Sequence, residues 1–134
     1  MNALFDVARR RMLSNQLDWA QLPVRMLAFA SEYEFDPAHV TVGELGVGAV
    51  AESEVFTNQE VTDGGYAASD QAWFQTPALS PPWLFLVMVD DSTVGTAREL
   101  IAYYDTGYNL PRTINGQDQI VIPDWLNERG WFRP

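Results

Sequence analysis

Apolar residues in this sequence are concentrated in short runs separated by turn-forming residues. Residues 83–89 are apolar at every position, which is typical of a central strand covered on both faces or of a strand half inside a subunit interface. Residues 98–105 and 119–123 are two further β-rich runs, with Gly, Asn, Pro and Thr between them. A fourth run, residues 24–30, begins directly after Pro23. These four runs predict the main strands of the fold.

The N-terminal segment has a helical period instead. Its apolar residues recur at spacings of three and four, at Leu4, Phe5, Ala8, Met12 and Leu13. This spacing predicts an amphipathic helix over residues 3–14, with Asn2 as its N-terminal cap. Residues 24–126 then form the β core, and residues 127–134 form a C-terminal tail rich in aromatic residues and arginine.

The part of the chain between the first strand and the run at 83–89 is less regular. Residues 31–48 predict a long connection with one short helical turn capped by Thr41. Residues 50–61 alternate weakly and are strand or loop, whereas residues 66–75 form a strand after an Asp-Gly-Gly turn. One helix followed by about six strands indicates a mainly β protein. We expect a single antiparallel β-sandwich-like domain with one N-terminal α-helix, which packs on a sheet edge or on a neighbouring molecule.

Size and hydrophobic content support a single domain that is not embedded in a membrane. The 134 residues, of which 47% are hydrophobic, are enough to bury one core. No apolar run reaches the roughly 18 residues that a membrane-spanning helix needs, so we expect no membrane partner. At the N-terminus the apolar residues precede the arginines, which is the reverse of the order in a secretory signal.

Charge is distributed unevenly along the chain. The net charge is −10, all eight basic residues are arginine, and none lies between Arg25 and Arg98. Eleven acidic residues occupy that interval, and an acidic surface repels phosphate backbones, so we expect no direct nucleic-acid binding. Arg9, Arg10 and Arg11 form a local cationic spot that suits an acidic neighbouring subunit.

Few residues offer catalytic or metal-binding chemistry. His39 is the only histidine and there is no cysteine, so a zinc site would lack the other nitrogen or sulfur ligands that it needs. The serines lack the Gly-x-Ser-x-Gly context of many hydrolases. No glycine-rich phosphate-binding motif with a lysine is present either. We therefore predict no enzyme activity, no catalytic residue, no cofactor and no metal.

Paired carboxylates and aromatic residues leave narrower alternatives. Glu52 with Glu54, or Asp90 with Asp91, could serve as a glycosidase acid and base, and the turn after residue 90 could hold calcium. For an anionic chain, solvated acidic loops are the simpler interpretation. A sugar-stacking platform could be built from Trp73, Phe74, Trp83, Trp125, Trp131 and Phe132.

Large aromatic residues in a small β domain are more often core, and those outside the core mark protein contacts. We therefore assign Trp83, Phe85 and Tyr103 to the core. We assign Trp131 and Phe132 to contacts with a partner, because an isolated chain would expose an aromatic tail.

Residues 100–122 carry a resemblance to a known group of proteins. Leu-Ile-Ala-Tyr-Tyr-Asp-Thr-Gly, Leu-Pro-Arg-Thr and Asn-Gly-Gln-Asp follow one another before a β run. This order resembles small structural proteins encoded among bacteriophage virion genes. Shorter matches occur in the same order at Asp18-Trp19, residues 24–28 and residues 33–39. The sequence departs from the family pattern at residues 47–82 and at its last ten residues.

The resemblance implies a structural protein of the virion, most simply a minor capsid or decoration (cement) protein that binds neighbouring capsid subunits. Its partners would be other virion proteins, the major capsid protein above all, and copies of itself. It would be assembled in the host cytoplasm and located in the virion. A tail or head-tail junction protein, or a glycan-binding β-sandwich module, is the alternative. We expect the chain ends to dock, Arg9, Arg10 and Arg11 through charge, Trp131 and Phe132 through apolar burial.

Overall fold

The computed structural model describes residues 1–123 and 130–133. One α-helix and nine short strands are present in these residues, and all strand pairs are antiparallel. The prediction of a mainly β fold with one helix and antiparallel sheets is confirmed. The elements are β1 (Asn2–Leu4), α1 (Asp6–Leu13), β2 (Val24–Phe29), β3 (Ala51–Glu52), β4 (Glu60–Val61), β5 (Ala67–Ala68), β6 (Ala72–Phe74), β7 (Phe85–Asp90), β8 (Leu100–Tyr104) and β9 (Gln119–Val121).

Strand β7 lies at the centre of a five-stranded sheet with the order β1-β8-β7-β2-β3. It pairs with β2 over six residues, from Val24 opposite Asp90 to Phe29 opposite Phe85. It pairs with β8 on its other side. All six of its residues are buried. The central strand predicted from the fully apolar run is therefore confirmed.

Successive side chains of β7 enter two apolar clusters, one on each face of the sheet, as the two-residue period of a strand requires. Leu86 and Met88 belong to the first cluster, which also contains Trp83. Phe85 belongs to the second cluster, together with Tyr103. Trp83, Phe85 and Tyr103 are 0%, 2% and 4% exposed, so their assignment to the core is confirmed.

A β-bulge interrupts the pairing of β7 with β8. The register shifts by one residue after Met88, and Ile101 is the extra residue in β8. Ile101 and Ala102 consequently both enter the first apolar cluster. The Ile101 carbonyl accepts a hydrogen bond of 3.0 Å from the backbone N–H of Phe5. The bulge thus fixes the point at which the chain leaves β1 and enters α1.

Helix α1 begins later than its apolar spacing predicts. The predicted helix over residues 3–14 and the predicted cap at Asn2 are both wrong at the N-terminal end, because residues 2–4 pair with β8 instead. The Asn2 side chain accepts backbone hydrogen bonds from Asp105 and Thr106, each of 3.1 Å. Phe5, in an extended conformation, precedes the first helical residue.

No helix in residues 1–123 and 130–133 is long and apolar enough to span a bilayer.

The long connection after β2 contains a short 3-10 helix, Val42–Leu45, as predicted. Thr41 is its N-terminal cap. The Glu44 carboxylate accepts hydrogen bonds of 3.0 and 3.2 Å from the backbone N–H groups of Val40 and Thr41. A second 3-10 helix, Gly95–Ala97, precedes β8. The Glu44 carboxylate satisfies backbone N–H groups that would otherwise be unpaired at the start of the helix Val42–Leu45.

Two smaller sheets, β4-β5 and β6-β9, lie outside the five-stranded sheet. The strand predicted over residues 66–75 is divided between them, because a bend at Asp70 separates β5 from β6. The Asp70 carboxylate accepts hydrogen bonds from Thr57 and Asn58, which holds this bend in place. The edge strands of the large sheet are short, with three residues in β1 and two in β3.

The burial of β7 predicts where the chain is most sensitive to the loss of apolar volume. Leu86 is 0% exposed and Leu79 is 74% exposed. We expect Leu86→Ala to lower the free energy of unfolding by about 2–5 kcal/mol, because it leaves a cavity in the core. Leu79→Ala is the matched control and should change it by less than about 0.5 kcal/mol. Urea unfolding measures both, and similar losses in the two variants would contradict the fold.

Candidate protein interaction site

The two ends of the chain meet on one side of the molecule. β1 pairs with β8, so that Asn2 lies opposite Tyr104. The Tyr104 hydroxyl donates a hydrogen bond of 3.0 Å to the Trp131 carbonyl. Arg9 of α1 and the side chains of Phe132 and Arg133 line one cavity of about 220 Å³. We call this cavity, together with Arg10, the next residue of α1 after Arg9, the terminal cleft.

The three arginines of α1 do not act as one group. Arg9 and Arg10 are exposed and form no ion pair with a described residue. Arg11 lies on the same helix face as the buried Val7 and Ala8, because residues three and four apart share a face. The predicted cationic spot therefore contains Arg9 and Arg10, whereas Arg11 is directed towards the protein.

The reason for the separate role of Arg11 is its ion pair. Its guanidinium group lies 3.0 Å from the carboxylate of Asp90 and 3.8 Å from that of Glu99. The Arg11 side chain is only 19% exposed. These contacts attach α1 to β7 and to the residue before β8. Arg11 was predicted as an interface residue, but its guanidinium group is used within the chain.

Trp131 is part of the core, so the expectation that an isolated chain exposes it is wrong. It is 4% exposed, and its ring stacks on Phe56 with a centroid distance of 5.2 Å. Its indole N–H donates a hydrogen bond of 2.8 Å to the Ser69 hydroxyl. Burial of a tryptophan is favourable when its ring is packed and its N–H has a partner, and both conditions are met within this chain.

A glycine makes this packing possible. Gly130 has a φ of +117°, and a Cβ at this position would lie 2.3 Å from the backbone oxygen of Ala67. The next residue, Trp131, donates its backbone N–H to that same oxygen at 2.7 Å. Only glycine permits such a close approach. It therefore lets the C-terminal segment pack directly against β5.

Phe132 remains partly accessible. Its ring lies 5.4 Å from that of Trp19, in an edge-to-face arrangement. Besides the terminal cleft it lines a second cavity of about 410 Å³, together with Met12 and Val61. Of the two predicted aromatic contact residues, Phe132 is thus the one that a partner can reach. The remaining tail residues, 127–129 and Pro134, lie outside the described residues.

His39, Asp90 and Asp91, which were among the groups considered for catalysis or metal binding, have partners within the chain. The His39 Nδ1 lies 2.8 Å from the Tyr33 hydroxyl. Asp90 and Asp91, the proposed calcium ligands, bind arginine side chains at 3.0 and 2.8 Å. In residues 1–123 and 130–133, no group of three or more acidic or histidine side chains is arranged to hold a metal ion.

The ion pairs form a network beneath one end of the five-stranded sheet. Arg98 donates hydrogen bonds of 2.9 and 3.0 Å to the Glu52 carboxylate, and one of 3.2 Å to Asp91. Arg25 binds Asp91 from the other side at 2.8 Å. The bonds from Arg98 lower the pKa of Glu52, and in return they raise the pKa of Arg98. Glu52 is therefore a carboxylate that holds Arg98 within the fold.

The structure reveals a second surface around Trp73, which the sequence suggested only as one member of a sugar-stacking platform. Trp73 of β6 lies opposite Ile120 of β9, and the two side chains are 41% and 46% exposed. Trp73 also lines a cavity of about 430 Å³ with Glu54 and Asp70. We call these four residues, with the neighbouring Val55, the Trp73 face. The alternation within β6 and β9 was the signal, since their flanking residues are buried.

The orientation of Trp73 is fixed by a carboxylate. The indole N–H donates a hydrogen bond of 3.0 Å to Asp118, which also accepts bonds from the backbone and hydroxyl of Thr76. These hydrogen bonds lower the pKa of Asp118, and the bond from the Thr76 backbone has the largest effect. One face of the Trp73 ring is thereby held in solvent beside acidic groups.

The sugar-stacking platform that was considered as an alternative does not form in the described part of the chain. Phe74 and Trp83 are both 0% exposed, and Trp131 is buried as well. Trp125 lies outside the described residues. Trp73 and the partly buried Phe132 remain, and they line different cavities. Comparison of the chain with protein-family models, curated proteins and solved structures finds no match.

The different burial of two tryptophans gives a test of which one is structural. We expect Trp131→Ala to lower the free energy of unfolding by about 3–5 kcal/mol, because it removes a packed core ring. Trp73→Ala should cost about 1 kcal/mol, since that ring is already partly in solvent. Both are measured by urea unfolding. Equal losses would show that Trp131 is not a core residue.

The Glu52 carboxylate predicts a pH-dependent contribution to stability. Because its pKa is lowered in the folded state from the ordinary value of 4.5, the Arg98 pair stabilises the protein above that value. The contribution is lost as the pH falls through the folded-state pKa. Glu52→Gln should therefore be less stable at neutral pH, by about 1 kcal/mol or less, and equal to wild type in acid.

The measurement is urea unfolding of wild type and variant over a series of pH values. Glu60→Gln is the matched control, because Glu60 is exposed and forms no ion pair with a described residue. A Glu52→Gln difference that persists unchanged in acid would contradict the electrostatic origin of the effect.

Proposed function

We propose that this chain is a structural protein of a bacteriophage virion, a minor capsid or decoration protein that binds neighbouring capsid subunits. The observation that carries the proposal is the terminal cleft, where exposed Arg9 and the partly accessible Phe132 line one cavity and exposed Arg10 follows Arg9 on α1. An accessible aromatic ring next to unpaired positive charge suits the surface of another protein. The order of residues 100–118, which resembles virion structural proteins, supports the same proposal.

Docking through this cleft would use two different interactions. The guanidinium groups of Arg9 and Arg10 would attract an acidic surface and orient the approach, an effect that salt weakens. Phe132 would supply the apolar anchor, and a buried aromatic anchor of this kind contributes about 2 kcal/mol or more. On a symmetric shell, many weak copies of the contact would act together through avidity. The major capsid protein is the partner that we propose.

The distribution of charge within the chain agrees with such a role. Four arginines, Arg11, Arg25, Arg98 and Arg112, hold the protein's own groups. Arg133 lies over the ring of Tyr66 at 5.5 Å. Arg9 and Arg10 are the described arginines left for an external partner. Their position on α1, attached to β7 through Arg11, gives them a rigid support.

We also propose that the two small sheets form the second layer of a sandwich. Ala72 and Phe74 of β6 and Val121 of β9 belong to the same apolar cluster as Met26 and Met88 of the large sheet. A shared cluster of this kind is what packs two sheet layers together. Such a body would be rigid, so that the terminal cleft keeps its geometry on assembly.

A tail or head-tail junction protein is the alternative within the same class. It would use the same cleft and would differ in copy number and position. A glycan-binding module is a weaker alternative that rests on the exposed Trp73 ring. An array of glycans with no binding would count against it.

Mass spectrometry of purified phage particles tests the proposed function directly. We expect peptides of this chain in multiple copies per particle, and its absence from virions would end the proposal. Arg9→Gln with Arg10→Gln should reduce incorporation, because the cleft loses its charge. Gln16→Glu with Gln21→Glu changes the net charge equally at exposed positions and should incorporate normally. Removing residues 127–134 is a poorer test, because it also removes the core residue Trp131.

A further inference from the structure

The two accessible surfaces of this chain have opposite charge. The terminal cleft presents Arg9 and Arg10, neither of which has a carboxylate partner among the described residues. The Trp73 face presents Glu54 and Asp70 beside an indole ring that is 41% exposed. The two surfaces share no lining residue. The terminal cleft therefore offers positive charge, and the Trp73 face offers negative charge.

We propose that the Trp73 face is the docking site for α1 of a second copy of this chain. Arg9 or Arg10 of one copy would lie over the Trp73 ring of the next, where a guanidinium group is attracted by the electrons of an indole. Glu54 and Asp70 would accept its N–H groups, as carboxylates do from arginine. Leu13, which is 90% exposed on the same helix, would cover the apolar Val55 and Ile120.

Charge complementarity selects a second copy as the occupant. The chain carries a net charge of −10, and residues 26–97 contain eleven acids and no base. A partner for Arg9 and Arg10 must be acidic, and the Trp73 face needs a basic partner. One contact between two copies satisfies both requirements without a different protein.

The same charges determine the geometry of the association. A contact of cleft with cleft, or of face with face, would place like charges against each other, which is unfavourable. Opposite charges meet when the cleft of one copy contacts the Trp73 face of another. Two copies can make this contact reciprocally in a two-fold dimer, or each copy can contact the next head to tail in a closed ring or an open filament.

The Trp73 face is also preorganised for this contact. Asp118 holds the indole N–H, so that the ring does not have to be ordered on binding. Asp70 is held by Thr57 and Asn58 at 3.1 and 2.8 Å. This inference rests on the proposed function for its biological setting. The contact between copies uses one of Arg9 and Arg10, so that the other arginine and Phe132 are left for the capsid subunit.

Sedimentation of the full chain at low and high salt is the first experiment. At low salt we expect an average mass above the 15.1 kDa of a single chain, rising with concentration. High salt should return it towards the single-chain mass, because exposed ion pairs are screened. A chain that stays monomeric at every concentration in low salt overturns the inference.

Two interface variants locate the contact. Arg9→Gln with Arg10→Gln inactivates the cleft. Glu54→Arg with Asp70→Asn inactivates the face, while the amide oxygen at position 70 still accepts the bonds from Thr57 and Asn58. Each should raise the dissociation constant about tenfold or more.

A matched control separates the contact from a general effect of charge. Glu32→Arg with Glu34→Gln changes the net charge by the same amount as the variant of the Trp73 face, but it does so beside Tyr33, in a different cavity. This control should associate as wild type does. Equal weakening by the control overturns the inference.

Mixing the two interface variants is the decisive step. Each retains one working surface, so the mixture should form dimers of one copy of each variant and no larger species. If these mixed dimers do not form, although both variants keep the circular dichroism of wild type, the contact between the terminal cleft and the Trp73 face is overturned. A chain found in virions but monomeric in solution would contradict only this inference, whereas a self-associating chain absent from virions would contradict only the virion role.

Discussion

The complete burial of β7 is the constraint on which the rest of this structure depends. A strand with apolar side chains on both faces must be covered twice, and this small chain does so with short elements. Phe5, Val42 and Leu45 pack in the apolar cluster on one face; Phe74 of β6, Val121 of β9 and Trp131 pack in the cluster on the other. The C-terminal segment is thereby drawn into the core. Trp131, which the sequence assigned to an exposed tail, packs in the same apolar cluster as Leu86 and Met88 of β7.

The same constraint explains which parts of the fold could be predicted. Strands β2, β7 and β8 are visible because their apolar runs are buried by the sheet that they themselves form. The start of α1 could not be placed correctly, since the pairing of residues 2–4 with β8 depends on a distant segment that local spacing does not show. The burial of Trp131 is hidden for a similar reason. Its partners, Phe56 and Ser69, lie far away in the sequence.

The exposure and pairing of the charged candidate residues could be predicted in part, and the failures have one cause. Three adjacent arginines read as a single cationic spot, but the helical period turns Arg11 towards Asp90 and leaves Arg9 and Arg10 outside. The acidic pairs read as solvated loops, yet Glu52, Asp90 and Asp91 hold arginines that tie the ends of several strands together. Formal charge along a sequence does not reveal which groups neutralise each other in the fold.

The short edge strands of the large sheet leave little backbone with which another chain could pair. An edge offers unpaired backbone groups to any extended chain, and a long edge can recruit neighbours without regard to their side chains. With three residues in β1 and two in β3, this sheet presents almost no backbone template. Any association between copies would then depend on side chains rather than on the pairing of sheet edges.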